Sequence, residues 1–253
     1  MNVVIPLVGE GKRFQLGGFE EPKPLIKIFN KPILQHSIES LNIDGNYIFV
    51  VREYENNKWN RELSSLIKSL KPNSKIILSK KLTRGAAESV LLAKENINDD
   101  TPLIVTNCDQ YIDWQENELN NFYFSILEKN CDALVTTFNH INPEHIKINE
   151  KTPYSFIKIN KDGDATQFSE KIAISKLMLN GIHFWKRGSM FVQSAESIIE
   201  KNINYNNEFY VSLTFNELIQ KYKVKHFQMT DSSFYSLGTP EDVELFKNKK
   251  ILK

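Results

Sequence analysis

Val3-Val4-Ile5-Pro6-Leu7-Val8-Gly9-Glu10-Gly11-Lys12-Arg13-Phe14 runs an apolar, β-branched segment straight into a glycine-rich, basic loop. The apolar part has the composition of a buried strand. Glycines let the backbone wrap closely around a phosphate chain, and a nearby arginine or lysine can neutralise it. The segment continues to Glu21-Pro22-Lys23-Pro24-Leu25. A candidate nucleoside-triphosphate site therefore lies within the first 25 residues.

Outward from this strand the first half alternates β-rich runs with helical spacing. Val3–Leu7, Tyr47–Arg52, Lys75–Ser79, Leu103–Asn107 and Ala133–Thr137 read as strands. Pro32–Leu41, Lys58–Leu70, Ala86–Asn96 and Glu116–Lys129 read as helices; Trp59, Leu63, Leu66, Ile67 and Leu70 show the spacing. Such alternation predicts an α/β fold with a predominantly parallel, mixed sheet flanked by helices. In the second half Tyr154–Asn160 and Ala165–Glu170 form a hairpin about Lys161-Asp162-Gly163-Asp164, and Asn180–Lys186 is a further strand. Ser189–Lys201 and Val211–Tyr222 read as helices, and a closing helix starts at Thr239, with Asp242 completing a capping box. One domain over 1–253 is expected, with the nucleotide side over about 1–138 and an acceptor-side β subregion over about 139–253.

The net charge of +1 gives no bulk electrostatic case for nucleic acid or acidic membrane surfaces. Cys108 and Cys131 do not suggest a secreted disulfide framework. The N-terminus carries no signal-peptide pattern, and no apolar run approaches the ~20 residues of a membrane span. A soluble cytoplasmic protein is the expectation. The five histidines (His36, His140, His145, His183, His226) are dispersed and show no zinc spacing.

Val8 to Pro24 reads as a long loop without helix or strand. No Lys-Ser or Lys-Thr follows Gly11, so it is not a P-loop, and Phe14 fills the third glycine position of a dinucleotide fingerprint. Pro22 and Pro24 restrict the backbone about Lys23, so less entropy is lost in holding that ammonium. Asn107-Cys108-Asp109-Gln110 follows the apolar run Leu103-Ile104-Val105. An aspartate there is costly without a partner, and a hard divalent cation bridging phosphates is a natural one.

Gly9-x-Gly11-x-Arg13-Phe14, Pro22-Lys23-Pro24-Leu25 and Asn30-Lys31-Pro32-Ile33-Leu34 together resemble the signature of the nucleotidylyltransferases, the sugar-phosphate pyrophosphorylases. The resemblance covers nearly the whole chain and implies a Rossmann-like (GT-A-like) domain. It implies attack of a phosphorylated small-molecule acceptor on the α-phosphate of a nucleoside triphosphate, with release of pyrophosphate. It assigns Arg13 to the leaving pyrophosphate and Lys23 to the α-phosphate and acceptor phosphate. The nucleotide would lie among Leu7, Val8, Gly9, Gly11, Lys12, Arg13, Lys23, Arg84, Gly85, Ala86, Asn107 and Asp109. Thr83-Arg84-Gly85-Ala86 resembles the base-reading turn, and Asp109 looks like the Mg²⁺ ligand, with Asp113 a weaker candidate. Phe168-Ser169-Glu170-Lys171, Asn180-Gly181 and Asn207-Glu208-Phe209-Tyr210 resemble acceptor-side segments. They assign Glu170, Lys171, Gly181 and Glu208 to the acceptor.

One departure stands out. Many relatives have a second metal-binding aspartate before the late Gly-Thr pair, and here Ser236 stands near that place, with Asp231 close but out of register. The Asn107–Gln110 and Glu208–Ser212 segments resemble a subgroup linked to bacterial capsule genes, which implies CTP and an L-glutamine phosphate acceptor. A sugar 1-phosphate with UTP, dTTP or CTP is the alternative within the family. Relatives of this kind form dimers or tetramers, which leaves room for a homo-oligomer. A glycosyltransferase and a non-catalytic nucleotide sensor are the rival readings, and neither should release pyrophosphate.

Overall fold

The computed structural model describes residues 1–127, 131–139, 143–231 and 233–251. The first half runs β1 (Asn2–Leu7), α1 (Lys12–Leu16), β2 (Lys27–Ile28), β3 (Lys31–Pro32), α2 (Ile33–Leu41), β4 (Asn46–Arg52), α3 (Asn57–Leu70) and β5 (Lys75–Ser79). It continues α4 (Ala86–Leu91), α5 (Lys94–Ile97), β6 (Leu103–Thr106), β7 (Gln110–Ile112), α6 (Glu118–Leu127) and β8 (Ala133–Phe138). Then follow β9 (Lys151–Ile159), β10 (Ala165–Ile172), β11 (Met178–Trp185), α7 (Gly188–Glu200), α8 (Val211–Thr214), β12 (Val224–Gln228), β13 (Phe234–Ser236) and α9 (Pro240–Ile251).

Among the described residues the main sheet has the order β10-β9-β11-β6-β1-β4-β5, with β8 beside β11 and β12 beside β8. β1 pairs in parallel with β4 and β6, and β4 with β5. β11 enters antiparallel to β6, which makes the sheet mixed. The period of 2 along each strand sorts its side chains between two cores. Val3, Ile5, Leu7, Phe49, Val51 and Ile104 pack with α2, α3 and α6 on one face. Val4, Val8, Ile48, Val50, Leu103 and Val105 pack with α4, α5 and α7 on the other. Strands buried on both faces read as continuous apolar runs, as β1 does. No described helix is long and apolar enough to cross a membrane.

The hairpin forms as expected. Asn160 Oδ1 accepts from the Asp162 and Asp164 amides, and Gly163 takes φ 75°. Several boundaries move. The 8–24 segment is not a plain loop: it holds α1 and a 3₁₀ turn at Lys23–Leu25. The helix expected over Ala86–Asn96 breaks at Leu92 and Ala93 into α4 and α5. The one expected over Val211–Tyr222 shortens to α8 and a 3₁₀ turn at Phe215–Glu217. Its Val211, Leu213, Phe215 and Leu218 all enter one core, and their spacing does not trace a single helical stripe. α6 begins at Glu118, and the expected end at Lys129 lies outside the described residues, as does His140.

Candidate active site

The loops after β1 and β6 leave neighbouring parallel strands at their carboxyl ends, where α/β sheets bind ligands. Phe14 anchors the first loop. It is buried with Ile26, Ile28, Ile33, Leu237, Val243 and Phe246, so α1, the β2–β3 hairpin and α9 share one satellite core. Gly11 takes φ 71° at the head of α1, and a Cβ there would sit 3.5 Å from Lys23 Cβ. A Cβ on Gly9 would meet no atom within 4 Å, so the space beside it is open. Leu7 and Val8 are 3% and 1% exposed, and their side chains belong to the two cores. That leaves their main chain to line the first loop. Lys12 is exposed and paired with Glu10 at 2.6 Å.

Lys23 Nζ donates to Asp109 Oδ2 at 2.7 Å across 86 residues of sequence. Each side chain is about one-fifth exposed, 21% and 20%. Burial opposes both charges, but each partner outweighs it. Asp109 holds the Lys23 ammonium above its ordinary value, and Lys23 with Arg13 keeps the Asp109 carboxyl below the usual carboxylate range. Arg13 itself is exposed. Burial pushes the Cys108 thiol up to about 11, which suits a packed residue rather than a nucleophile. Asp113 is paired with Lys250 at 3.1 Å, so it is engaged away from Asp109's partner.

The base-side turn and an acceptor-side segment are joined backbone to backbone. Ala87 N–H donates to the Phe209 carbonyl at 3.0 Å, and Phe209 N–H to the Arg84 carbonyl at 2.6 Å. Gly85 takes φ 121°, and a Cβ there would stand 2.5 Å from Phe209 O, so only glycine allows this approach. Ala86 opens α4 behind it. Arg84 pairs with Glu88 at 2.8 Å and lies 4.9 Å over the Phe209 ring. Gly181 likewise makes room, since its Cβ would fall 2.0 Å from Asn107 Nδ2. Gly181 therefore seats Asn107, joining the end of β6 to β11.

Glu170 is 4% exposed and accepts from Ser155 Oγ and, at 2.7 Å, from Ser212 Oγ. Lys171 does not end its strand. It sits at a register shift within β10 with φ 58°, a conformation costly for a residue with a Cβ. The bulge carries its ammonium to 5.3 Å over the Tyr210 ring and 3.5 Å from Glu170 Oε1. Tyr210 O–H donates to Glu208 Oε2 at 2.6 Å. Burial, then Glu208, raises the Tyr210 phenol.

Against known proteins, the model of the family described as Nucleotidyl transferase matches residues 3–249. The chain belongs to the nucleotidyl transferase family. It is 24% identical over 254 residues to the bifunctional protein GlmU of Methanocaldococcus jannaschii, covering 100% of this chain and 54% of that protein. It is 26% identical over 210 residues to the mannose-1-phosphate guanylyltransferase catalytic subunit beta of Xenopus tropicalis, covering 80% of this chain and 55% of that one. The chain thus spans about half the length of these curated relatives. Its fold matches a nucleoside-diphosphate-sugar pyrophosphorylase from Vibrio cholerae RC9 with a TM-score of 0.77 at 20% identity, covering 97% of this chain and 99% of that one.

Within this nucleotidyl transferase fold, the late turn holds groups that sequence reasoning did not bring together. β13 pairs with β7 so that Ser236 lies opposite Gln110, next to Asp109. Ser236 Oγ donates to Asp242 Oδ2 at 2.8 Å, and Asp242 N–H donates to Thr239 Oγ1 at 3.0 Å. The Thr239 cap forms, but the Asp242 carboxylate turns to Ser236. Asp231 accepts from the Asn139 amide at 3.2 Å. Ser155 was missed, and Tyr210 and Ser212 were read only as members of acceptor-side and subgroup segments, with no role of their own. They are ordinary strand and helix-start residues in sequence and gain meaning only beside Lys171 and Glu170.

Proposed function

We propose that this chain transfers a nucleoside monophosphate from a nucleoside triphosphate to a phosphorylated small-molecule acceptor. The observation that carries this is the Lys23–Asp109 pair at 2.7 Å, which joins the loop after β1 to the loop after β6. An acceptor phosphate oxygen attacks the α-phosphorus, a new P–O bond forms, and the bond to the β-phosphate breaks, releasing pyrophosphate. The acceptor is already an anionic nucleophile, so no general base is required. Two unit charges at ~4 Å with an effective dielectric of ~20 repel by about 4 kcal/mol, so neutralisation and in-line positioning carry the rate. Lys23 meets the α-phosphate, Arg13 the departing pyrophosphate, and Lys171, held out by its bulge, the acceptor phosphate. The open space beside Gly9 leaves room for close main-chain contact with the triphosphate. On this reading the nucleotide side covers about 1–138 and the acceptor side about 139–253.

Asp109 fits a Mg²⁺ site: its carboxylate supplies a hard oxygen, and the space about Gly238 in front of it is a cradle that a Cβ would fill, 3.2 Å from Asp109 Oδ2. When bound, the cation neutralises phosphate charge and orients the α-phosphate.

The nucleotide is CTP and the acceptor L-glutamine phosphate, as in the CTP:phosphoglutamine cytidylyltransferase of capsular phosphoramidate synthesis. The Asn107–Gln110 and Glu208–Ser212 segments support this reading. The fold also matches a structure described as the inositol-1-phosphate CTP transferase from T. maritima, with a TM-score of 0.73 at 15% identity over 98% of this chain and 96% of that one. A sugar 1-phosphate with another triphosphate is the second reading, favoured by the guanylyltransferase relative. Pyrophosphate release across CTP, UTP, dTTP and GTP against L-glutamine phosphate and sugar 1-phosphates decides between them. CTP with glutamine phosphate is expected to dominate. A clear win for a sugar phosphate would reject the specific assignment, and no release with any pair would reject the transfer reaction.

A further inference from the structure

Relatives that carry a second aspartate before the Gly-Thr pair have a ready second metal carboxylate, and this chain has Ser236 instead. The turn Leu237-Gly238-Thr239 nevertheless brings a carboxylate to the same place. The point where Gly238 would carry a Cβ lies 3.2 Å from Asp109 Oδ2, 3.4 Å from Ser236 Oγ and 3.8 Å from Asp242 Oδ2. Asp109 and Asp242 therefore face one small cradle from opposite elements, the end of β6 and the start of α9. Ser236 donates to Asp242 at 2.8 Å and aims it. No described cation forms an ion pair with Asp242, whereas Lys23 covers one oxygen of Asp109. Lys23 and Arg13 supply positive charge at Asp109, while Asp242 meets the Ser236 hydroxyl.

An unsatisfied polar atom lies on the strand beside this turn, in a side chain whose amide donates to Thr106 Oγ1 at 3.1 Å. Gln110 is 2% exposed, and its Oε1 has no hydrogen-bond partner. It stands directly opposite Ser236 across the β7–β13 pair, so both side chains lie on one face. A buried amide oxygen without a partner costs free energy unless a ligand or its water fills the gap. Among the described residues no group of three or more His, Cys, Asp or Glu could hold a metal. A hydrated cation using two carboxylates is the arrangement Mg²⁺ accepts, because it keeps several waters.

We infer that Asp242 supplies the second carboxylate of the divalent-cation site, aimed by Ser236 across the Gly238 cradle. This rests on the reading that the site works with a divalent cation.

The test is Mn²⁺ binding to the full chain without nucleotide, followed by electron paramagnetic resonance, with pyrophosphate release measured separately. The unaltered protein should bind one Mn²⁺. Asp242→Asn keeps an acceptor for Ser236 and should weaken Mn²⁺ by about 10–100-fold, the loss typical of disturbed metal shells. Gly238→Ala fills the cradle and should weaken it similarly; it decides the matter should Asp242→Asn fail to fold. Ser236→Asp in the Asp242→Asn background should restore affinity, which a helix-capping role for Asp242 alone would not produce. Asp231→Asn should bind as the unaltered protein does. Unchanged Mn²⁺ affinity in a folded Asp242→Asn, unchanged affinity in Gly238→Ala should Asp242→Asn fail to fold, or no uptake by the unaltered protein would overturn the inference. Weakened Mn²⁺ in a protein that releases no pyrophosphate with any acceptor would leave the cation site standing and reject the transfer reaction instead.

Discussion

Replacing Lys23 with alanine separates what that ammonium does for turnover from what it does for the fold. In the proposed transfer reaction it would face charge that moves from the acceptor to the departing pyrophosphate. Removing one such stabiliser costs about 10²–10³-fold in turnover. In the resting protein it pairs with Asp109 at 2.7 Å, so its removal leaves a carboxylate only 20% exposed without its partner. Breaking a fully buried pair costs about 3–5 kcal/mol. With a fifth of each side chain still in solvent, about 1–3 kcal/mol is the fitting range. Most domains have about 5–15 kcal/mol in hand, so the fold survives. The sign of the pH dependence follows from the pair. Asp109 lies below its ordinary 3.8, so its contribution is present above that pH and is lost as pH falls through the lower folded value. Lys23 is raised above its ordinary 10.5, so its contribution is full below that pH and is lost as pH rises through the higher folded value. Urea unfolding at pH 7 should show the stability loss, and the loss should shrink below about pH 4. Adding Asp109→Asn to Lys23→Ala should recover part of the stability and none of the turnover. Pyrophosphate release provides the second readout. Near-normal turnover in Lys23→Ala, or a stability loss that the double substitution does not reduce, would refute the reasoning.

Gly85→Ala would drive a methyl group into the Phe209 backbone at 2.5 Å, with φ at 121°; thermal unfolding should show a loss of about 2 kcal/mol or more, within the strained-backbone range. Because Arg84 and Ala87 hold Phe209 through backbone bonds, the same variant should weaken nucleotide and acceptor together in steady-state kinetics. Glu118 is 6% exposed and accepts from the Gln115 and Thr230 amides and from Ser233 Oγ. Glu118→Ala leaves these donors unmatched and should cost about 2–4 kcal/mol by urea titration. Burial lowers His183 to about 4, and its Nε2 lacks a partner. The unfolded chain therefore binds more protons here between about pH 4 and 6.5, so stability rises as pH rises across that window. His183→Phe should flatten that part of the stability–pH curve; an unchanged slope would exclude His183 as its source.

The parallel core was legible because β1, β4 and β6 are buried on both faces, and their apolar runs declare it without help from distant residues. Lys23 and Asp109 were legible one at a time, as a proline-flanked lysine and as an aspartate after an apolar strand. Their pairing depends on the topology that sets β1 beside β6. What escaped sequence reasoning has a common cause. β7 and β13 are three residues each and pair across more than a hundred positions, too short for periodicity to register. At Lys171 the register shift sets one residue of β10 against three of β9, an offset that the alternation along β10 itself does not show. Asp242 carries a valid capping signal, and its backbone does use Thr239. Its side chain had a choice between the helix end and Ser236, and a local motif cannot weigh a partner that the turn at Gly238 alone brings near. The sequence therefore marks Ser236 as a missing acid and Asp242 as a cap. Only the folded turn makes the second residue available for the role the first lacks.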